Sequence, residues 1–312
     1  MTEDFDSINR CKANFNYIYA QPDPRAYYSV LGSLDYMIPD VAEPVIQQLL
    51  QAKAAREGVV PVVLDVGCSY GINAAVHRFP LSFDALRRRY ARRELMELSP
   101  DELIRLDASY YSGWPDRGRA VFLGLDMSAS AVDYARRVGL IEEGVVADLE
   151  RDELPQQSVG VVRRANVLLS TGCIGYLGEA TFAKILKKSA QPPWVISFVL
   201  RMFPYERMEA ALAVHGLETE RLAGATFIQR RFCDSAEFEQ TLQTLESLGK
   251  DTQGLEAEGL FHADLYVSRP REEVRERPLA ELVTVTSGRY RPFGPRYVHI
   301  DTEKGRRVTL EP

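Results

Sequence analysis

Residues whose types and spacing could do chemistry gather first at Asp65, Gly67, Cys68, Ser69 and Gly71. A short β-branched apolar run, Val62-Val63-Leu64, leads into Asp65, and a helix-like stretch through His77 follows Gly71. The pattern reads as a buried parallel strand feeding a tight turn and a helix N-terminus, the place where open α/β sheets bind nucleotide-like ligands. Its glycines let the backbone approach such a ligand closely. A dinucleotide site would want G-x-G-x-x-G, so that the helix N-terminus holds a pyrophosphate. Here the spacing is Gly67-x-x-x-Gly71, with no middle glycine. An acid two positions before the first glycine would repel a phosphate but could pair with an ammonium.

A site of this kind needs a second strand ending in an acid that holds ribose hydroxyls, about 20 residues on. Asp84 is nearest that distance, but no strand precedes it. Asp126 is the better candidate. It ends the run Ala120 to Leu125, Ser128 follows as a helix N-cap for Ala129 to Val138, and Gly139 closes that helix. The spacing from Asp65 is long, so a segment must be inserted between the first helix and the second strand.

The segment Leu64-Asp65-Val66-Gly67-Cys68-Ser69-Tyr70-Gly71 resembles the first motif of class I S-adenosylmethionine-dependent methyltransferases. With Asp126 and Asp148 in place, the resemblance runs over roughly residues 60–268. It implies an α/β fold, a Rossmann-like seven-stranded methyltransferase sheet with helices on both faces, and S-adenosyl-L-methionine as cofactor. The implied cofactor-binding residues are Asp65, Gly67, Cys68, Ser69 and Gly71 in the turn, and Asp126 and Met127 after the second strand. Asp148 and Leu149 end the third strand, Val145 to Leu149, where the family's acid reaches the adenine amino group. Asn166 lies in the fourth strand, Val159 to Leu169, within a stretch similar to the one that passes the methionine end of the cofactor. Tyr28 would come from a covering segment. A fifth strand is expected at Trp194 to Met202 and a last one at Ala263 to Ser268.

The elements that must position these residues follow. Residues 1–60 are dense in aromatics (Phe15, Tyr17, Tyr19, Tyr27, Tyr28, Tyr36) and lead to an amphipathic helix bearing Val41, Val45, Ile46, Leu49 and Leu50, an N-terminal helical lid in this reading. Deleting residues 1–38 should then leave the sheet folded. Residues 61–268 form the core. Its insertion, 78–119, is a helical pair whose second helix begins Ser99-Pro100-Asp101-Glu102, a capping box with proline at the first helical position. The insertion's arginines (Arg87, Arg88, Arg89, Arg92, Arg93) read as a solvated face. Ser235 is expected to cap a later core helix. The tail, 269–312, holds a β-hairpin, Arg296 to Asp301 against Arg306 to Leu310. A lone hairpin is marginal, so it should pack at a subunit interface, as in a homodimer, or over the site.

Acceptor chemistry is expected in two loops, Ser170 to Tyr176 and the excursion 203–233. A sulfonium methyl donor already carries the activation, so the protein must position the nucleophile and exclude water. If a general base is needed, His215 is its expected owner, with Tyr176 as an orienting hydrogen-bond donor. Tyr205, Arg207, Arg230 and Arg231 are the substrate-binding candidates, the arginines for a carboxylate or phosphate.

Composition narrows the partners. A net charge of −6 lacks the basic footprint of a nucleic-acid enzyme. Gln191-Pro192-Pro193-Trp194 imitates a motif of adenine methylation, but it precedes the fifth strand instead of following the fourth. A small-molecule acceptor is therefore expected, with no nucleic acid and no membrane. Cys11, Cys68, Cys173 and Cys233 show no C-x-x-C spacing, which argues against a metal site or disulfide framework and for a reducing compartment. The acidic start and the lack of any long apolar run fit a cytoplasmic protein. Two other readings stay open, a non-catalytic S-adenosylmethionine-binding module and an NAD-dependent oxidoreductase.

Overall fold

The computed structural model describes residues 15–285, 296–302 and 305–311. Three helices come first, α1 (Asn16–Tyr19), α2 (Arg25–Ser33) and α3 (Ile38–Glu57). Pro39 sits in the first turn of α3, and Gly58 ends that helix in the left-handed conformation. Then come β1 (Val62–Val66), α4 (Ile72–Arg78) and the insertion helices α5 (Phe83–Tyr90), α6 (Arg93–Met96) and α7 (Pro100–Ser112). The core resumes with β2 (Val121–Asp126), α8 (Ala129–Arg137), β3 (Gly144–Val146), α9 (Val159–Arg164), β4 (Val167–Thr171), α10 (Glu179–Leu186) and β5 (Trp194–Leu200). It closes with α11 (Glu206–Val214), β6 (Leu217–Arg221), β7 (Phe227–Arg231), α12 (Ser235–Ser247) and β8 (Leu260–Pro270). Beyond it lie α13 (Arg271–Glu276), α14 (Leu279–Leu282) and the pair β9 (Arg296–Thr302) and β10 (Gly305–Glu311).

The main sheet runs β3-β2-β1-β4-β5-β8-β6, with β7 also on β8. Its first five strands are parallel, and their order is that of a doubly wound nucleotide-binding sheet. Strand β8 runs antiparallel to β5. Strands β6 and β7 share its other edge, β6 along Tyr266 to Pro270 and β7 along Leu260 to Ala263. Helices cover both faces, which is why every residue of β5 is buried and its sequence is apolar but for Ser197. The order reverses between β1 and β4, so the crevice at their carboxyl ends is where a ligand belongs.

Several expectations change at the level of elements. Val159 to Leu169 is not one strand: Val159–Arg164 forms α9, and β4 starts at Val167. In a strand Arg163 and Arg164 would face opposite sides of a buried sheet. In the last turn of a helix both reach solvent and suit the dipole. Strand β3 stops at Val146, leaving Asp148 and Leu149 in the loop. The segment 203–233 is no excursion but α11, β6 and β7, an integral part of the sheet's far edge. Asp234, not Ser235, caps α12, its side chain accepting from Glu237 N at 2.8 Å. The insertion has three helices instead of two, though the capping box at Ser99 and Glu102 is formed with Pro100 at the first position. Hairpin strands β9 and β10 pair antiparallel.

Aromatic side chains bind the first helices to the core. Tyr27 lies edge-on to Tyr19, Tyr28, Tyr36 and Phe83, and Tyr28 stacks on Tyr90 at 4.6 Å between ring centres. In the insertion, buried Asp107 accepts from Tyr90 and Tyr134 hydroxyls at 2.8 Å each and pairs with Arg89. Arg87 and Arg88 pair with Asp84, and Arg93 with Glu97, so these arginines sit on helix faces already neutralised.

Candidate active site

The glycine turn leaves β1 with three residues in the left-handed region, Gly67 (φ 81°), Ser69 (φ 48°) and Gly71 (φ 81°). Gly67 must be glycine on packing grounds too, because a Cβ there would stand 2.9 Å from Cys173 Sγ. Ser69 carries a side chain in a conformation that costs about 1–3 kcal/mol, the kind of strain found at ligand clamps. It is held by Asp126, whose Oδ2 accepts from Ser69 N at 2.8 Å while Oδ1 accepts from Ser128 N at 2.9 Å. Burial pushes the Asp126 carboxyl up, and the backbone N–H groups of Ser128, Ser69 and Met127 pull it back. A carboxylate offers about four acceptor sites, so capacity stays open for a hydroxyl.

Asp65 is 1% exposed. Its carboxylate accepts from Asn73 Nδ2 at 2.9 and 3.1 Å, and the same nitrogen donates to Thr171 Oγ1 at 3.0 Å. Direct pairing of Asp65 with a ligand ammonium, expected from the sequence, is thus replaced by a buried strut tying β1, α4 and β4 together. Cys173 closes the turn from β4, its thiol donating to Val66 O at 3.0 Å and lying 2.9 Å from Ser170 Oγ. Burial pushes that thiol up to about 12, so it is no nucleophile at neutral pH. Cys68 is 1% exposed and its thiol is likewise raised well above the ordinary value by burial.

The segment before β1 crosses this turn. Tyr70 Oη donates toward Ile18 O and Gln21 O, at 2.9 and 2.8 Å, and Ser128 Oγ donates to Tyr19 O at 2.5 Å. Burial raises the Tyr19 hydroxyl, with Tyr36, Tyr176 and Asp126 close enough to raise it further and Arg230 opposing. Tyr36 is raised by burial, lowered by its hydrogen bond with Tyr27, and feels Cys173, Asp65 and Arg230. Tyr19 thus lies electrostatically close to Tyr36, Tyr176 and Asp126, and Tyr36 to Cys173 and Asp65. Tyr19 and Tyr36 belong to the aromatic segment read from the sequence, but which of its tyrosines would face the site had no sequence signal.

Met127 is 69% exposed directly after Asp126, and Asp148 sits on the loop after β3, its Oδ1 accepting from Glu150 N at 3.2 Å. Leu149 is fully buried, with its carbonyl held by Lys184 Nζ at 2.9 Å. The buried Ser69 hydroxyl has no hydrogen-bond partner. A strained loop, an unpartnered hydroxyl, an acid with acceptor capacity left and an exposed apolar side chain at the carboxyl ends of β1 and β2 fit a nucleoside-bearing ligand.

Other expected site residues lie elsewhere. Asn166 sits at the amino end of β4, where Oδ1 accepts from Val62 N at 2.8 Å and Nδ2 donates to Glu57, so it is removed from the cofactor side. His215 ends α11 before β6, at the amino edge of the parallel strands. It cannot serve as a base at the opposite edge. Tyr28 is buried against Tyr90 and Phe83. Tyr205 is 2% exposed and stacks on Tyr266 at 4.1 Å, its hydroxyl donating to Ser197 Oγ. Arg230 forms a buried two-pronged pair with Glu237 at 2.8 and 2.6 Å. Arg231 pairs with Asp35, and Arg207 with Glu179. The four substrate candidates are thus engaged within the protein. Tyr176, 50% exposed, remains at the mouth.

Sheet order, strand-terminal acid and glycine turn define the class, a doubly wound Rossmann-like α/β fold with antiparallel strands at its far edge. No family model matches the chain, and no curated protein matches it. Solved structures similar to it include a TehB-like SAM-dependent methyltransferase from Corynebacterium glutamicum, 15% identical over 72% of this chain and 87% of that one, TM-score 0.36. Magnesium protoporphyrin IX methyltransferase from Synechocystis with bound SAM is 12% identical over 86% and 92%, TM-score 0.34. The plantazolicin methyltransferase BpumL, in complex with triazolic desmethylPZN analog and SAH, is 11% identical over 87% and 100%, TM-score 0.41.

Proposed function

We propose that this protein transfers a methyl group from S-adenosyl-L-methionine to a small-molecule acceptor. The observation that supports the reading above others is the Ser69–Asp126 clasp at the switch point of the sheet, with Tyr19 held beside it by its carbonyl on Ser128 Oγ. Asp126 would accept the ribose hydroxyls, Met127 would pack on the adenine, Asp148 would accept from its amino group, and the Gly67–Gly71 backbone would bound the methionine portion. Bound S-adenosylmethionine supplies an already activated methyl group.

This chain's part is then to hold the acceptor in line and keep water out. The segment bearing Tyr19 and Tyr36 does both, with the Tyr176 hydroxyl as the orienting donor at the mouth. Burial and neighbours raise the Tyr19 and Tyr36 hydroxyls, so both stay protonated and can donate. With His215 at the far edge of the sheet and His262 bonded to Thr226 and pushed down to about 4 by burial, the acceptor fitted best is one that needs no strong base. Titration calorimetry with S-adenosylhomocysteine, beside NAD, tests the cofactor, and tight NAD binding with none of the homocysteine product would sink the reading. Transfer of labelled methyl into a metabolite extract, with tRNA and DNA alongside, tests the acceptor class. Label found only in the polymers would overturn the small-molecule assignment, and binding without any turnover would leave a cofactor-holding module.

A further inference from the structure

At the opposite, amino edge of the sheet, a second cleft of about 510 Å³ opens between α3 and the chain segments that enter β1 and β2. Its volume lies in the range of small-ligand sites. One stripe of α3 (Leu50, Ala54) forms one wall, Val60 leads to another, and Phe122 with His77 forms the floor. Val59 and Val60 are 56% and 52% exposed, an apolar rim with nothing laid over it among the described residues.

His77 does not fit an ordinary core position. It is 3% exposed, yet neither ring nitrogen has a hydrogen-bond partner. Leaving such groups unmade costs on the order of 1–3 kcal/mol each. The ring stacks on Phe122 at 5.8 Å. Burial, with Arg117 and Arg119 nearby, pushes His77 down to about 3, so it is neutral, with one donor and one acceptor unused. Of the two arginines, Arg117 is neutralised by Glu43 at 3.0 Å. Arg119 lines the cleft, is exposed, and makes no ion pair among the described residues. An apolar pocket thus carries one unspent positive charge at its mouth and one unspent polar ring at its floor.

We infer that this cleft is a second ligand site, separate from the methyl-transfer crevice, which takes a small carboxylate with an aromatic or branched apolar body. The carboxylate pairs with Arg119, and the body packs on Phe122, Ala54 and Val60 beside the His77 ring. The inference does not depend on the cofactor assignment, because the cleft lies at the other edge of the sheet.

Fluorine NMR on the full chain with 4-fluorophenylacetate is the direct test, run with and without saturating S-adenosylhomocysteine. The neutral 4-fluorophenylacetamide is the control of equal shape. The expected result is saturable binding of the carboxylate, at least tenfold weaker binding of the amide, and a shift of the His77 ring nitrogen signals on addition of the probe. Arg119→Met, at an exposed position that leaves the fold intact, should weaken the carboxylate at least tenfold, as should Ala54→Phe, which fills the cleft. Binding of S-adenosylhomocysteine should be unchanged in both variants. Equal binding of acid and amide, binding indifferent to both substitutions, or no binding at millimolar probe would overturn the inference.

Discussion

Asp126 is the residue on which the cofactor reading turns. Its two oxygens already accept from Ser69 N and Ser128 N, so the acid sets the turn as well as facing the crevice. Replacing it with alanine should weaken S-adenosylhomocysteine by about tenfold or more, since charge-assisted hydrogen bonds contribute about 1.5–3 kcal/mol each. Calorimetric titration checks this, and unaltered affinity would contradict it. Asp65 makes a different prediction. Burial raises its carboxyl from 3.8 to about 7, with Asn73 opposing and Asp126 adding to the rise. Between those values the folded chain binds more protons than the unfolded one, so this acid's contribution to stability falls as pH rises from about 4 to about 7. Asp65→Asn keeps the shape and removes the titration. It should melt about 2 °C or more above the parent near pH 8, with the gap narrowing as pH falls below about 7 and closing near pH 4. Asp40, also raised to about 7 by burial, titrates in both proteins and cancels in the comparison. Thermal melts across that range decide it.

Elements explain what engages Arg230 within the fold. Strand β7 lies at the sheet edge with Arg230 turned inward, and α12 begins four residues after β7 ends so that Glu237 meets it. The pair is sandwiched between Phe15 and Phe261, 5.3 and 4.7 Å from the guanidinium. Breaking a buried pair strands a charge at a cost of about 3–5 kcal/mol, whereas removing both partners can be nearly neutral. Arg230→Met should therefore lower stability sharply, and Arg230→Met combined with Glu237→Leu should recover much of the loss. Chemical denaturation of the single and double variants measures it. A change confined to the acceptor KM, with stability intact, would restore Arg230 to a binding role.

Across the whole molecule, the first helices belong to the hydrophobic core. Ile18, Tyr27, Tyr28, Leu31 and Ile38 are all buried, and Met37 N donates to Gln229 O at 2.9 Å, joining the segment to β7. Deleting residues 1–38 should consequently destabilise the sheet and expose apolar surface, contrary to the expectation that the sheet would stay folded. Loss of the near-ultraviolet circular dichroism signal and binding of a hydrophobic dye would show it. A gentler probe is Tyr70→Phe, which removes the hydroxyl that holds Ile18 O and Gln21 O. It should cost about 1 kcal/mol and raise protease cleavage near residues 15–24, while S-adenosylhomocysteine restores protection. Equal cleavage rates in parent and variant would show that the segment is held by packing alone.

The glycine turn, Asp126 at the end of β2, the Ser128 cap, the Ser99–Glu102 capping box and the pairing of β9 with β10 were legible in the sequence, because each is decided by residues a few positions apart. Backbone sterics at glycine, caps and strand alternation act locally and survive translation into any fold. What only the tertiary structure decided is which edge of the sheet a residue falls on and what reaches it first. Asn166 and His215 come at the amino edge because β4 and β6 run the way they do. Arg230 and Arg231 look free in the chain, but Glu237 and Asp35 are brought to them by packing. Val159 to Val162 carry an apolar pattern too short to choose helix or strand alone, and the two arginines after them tipped it only once the sheet was built. A long polar side chain takes whichever partner the fold delivers, since a buried charge left unpaired costs more than a local preference can supply.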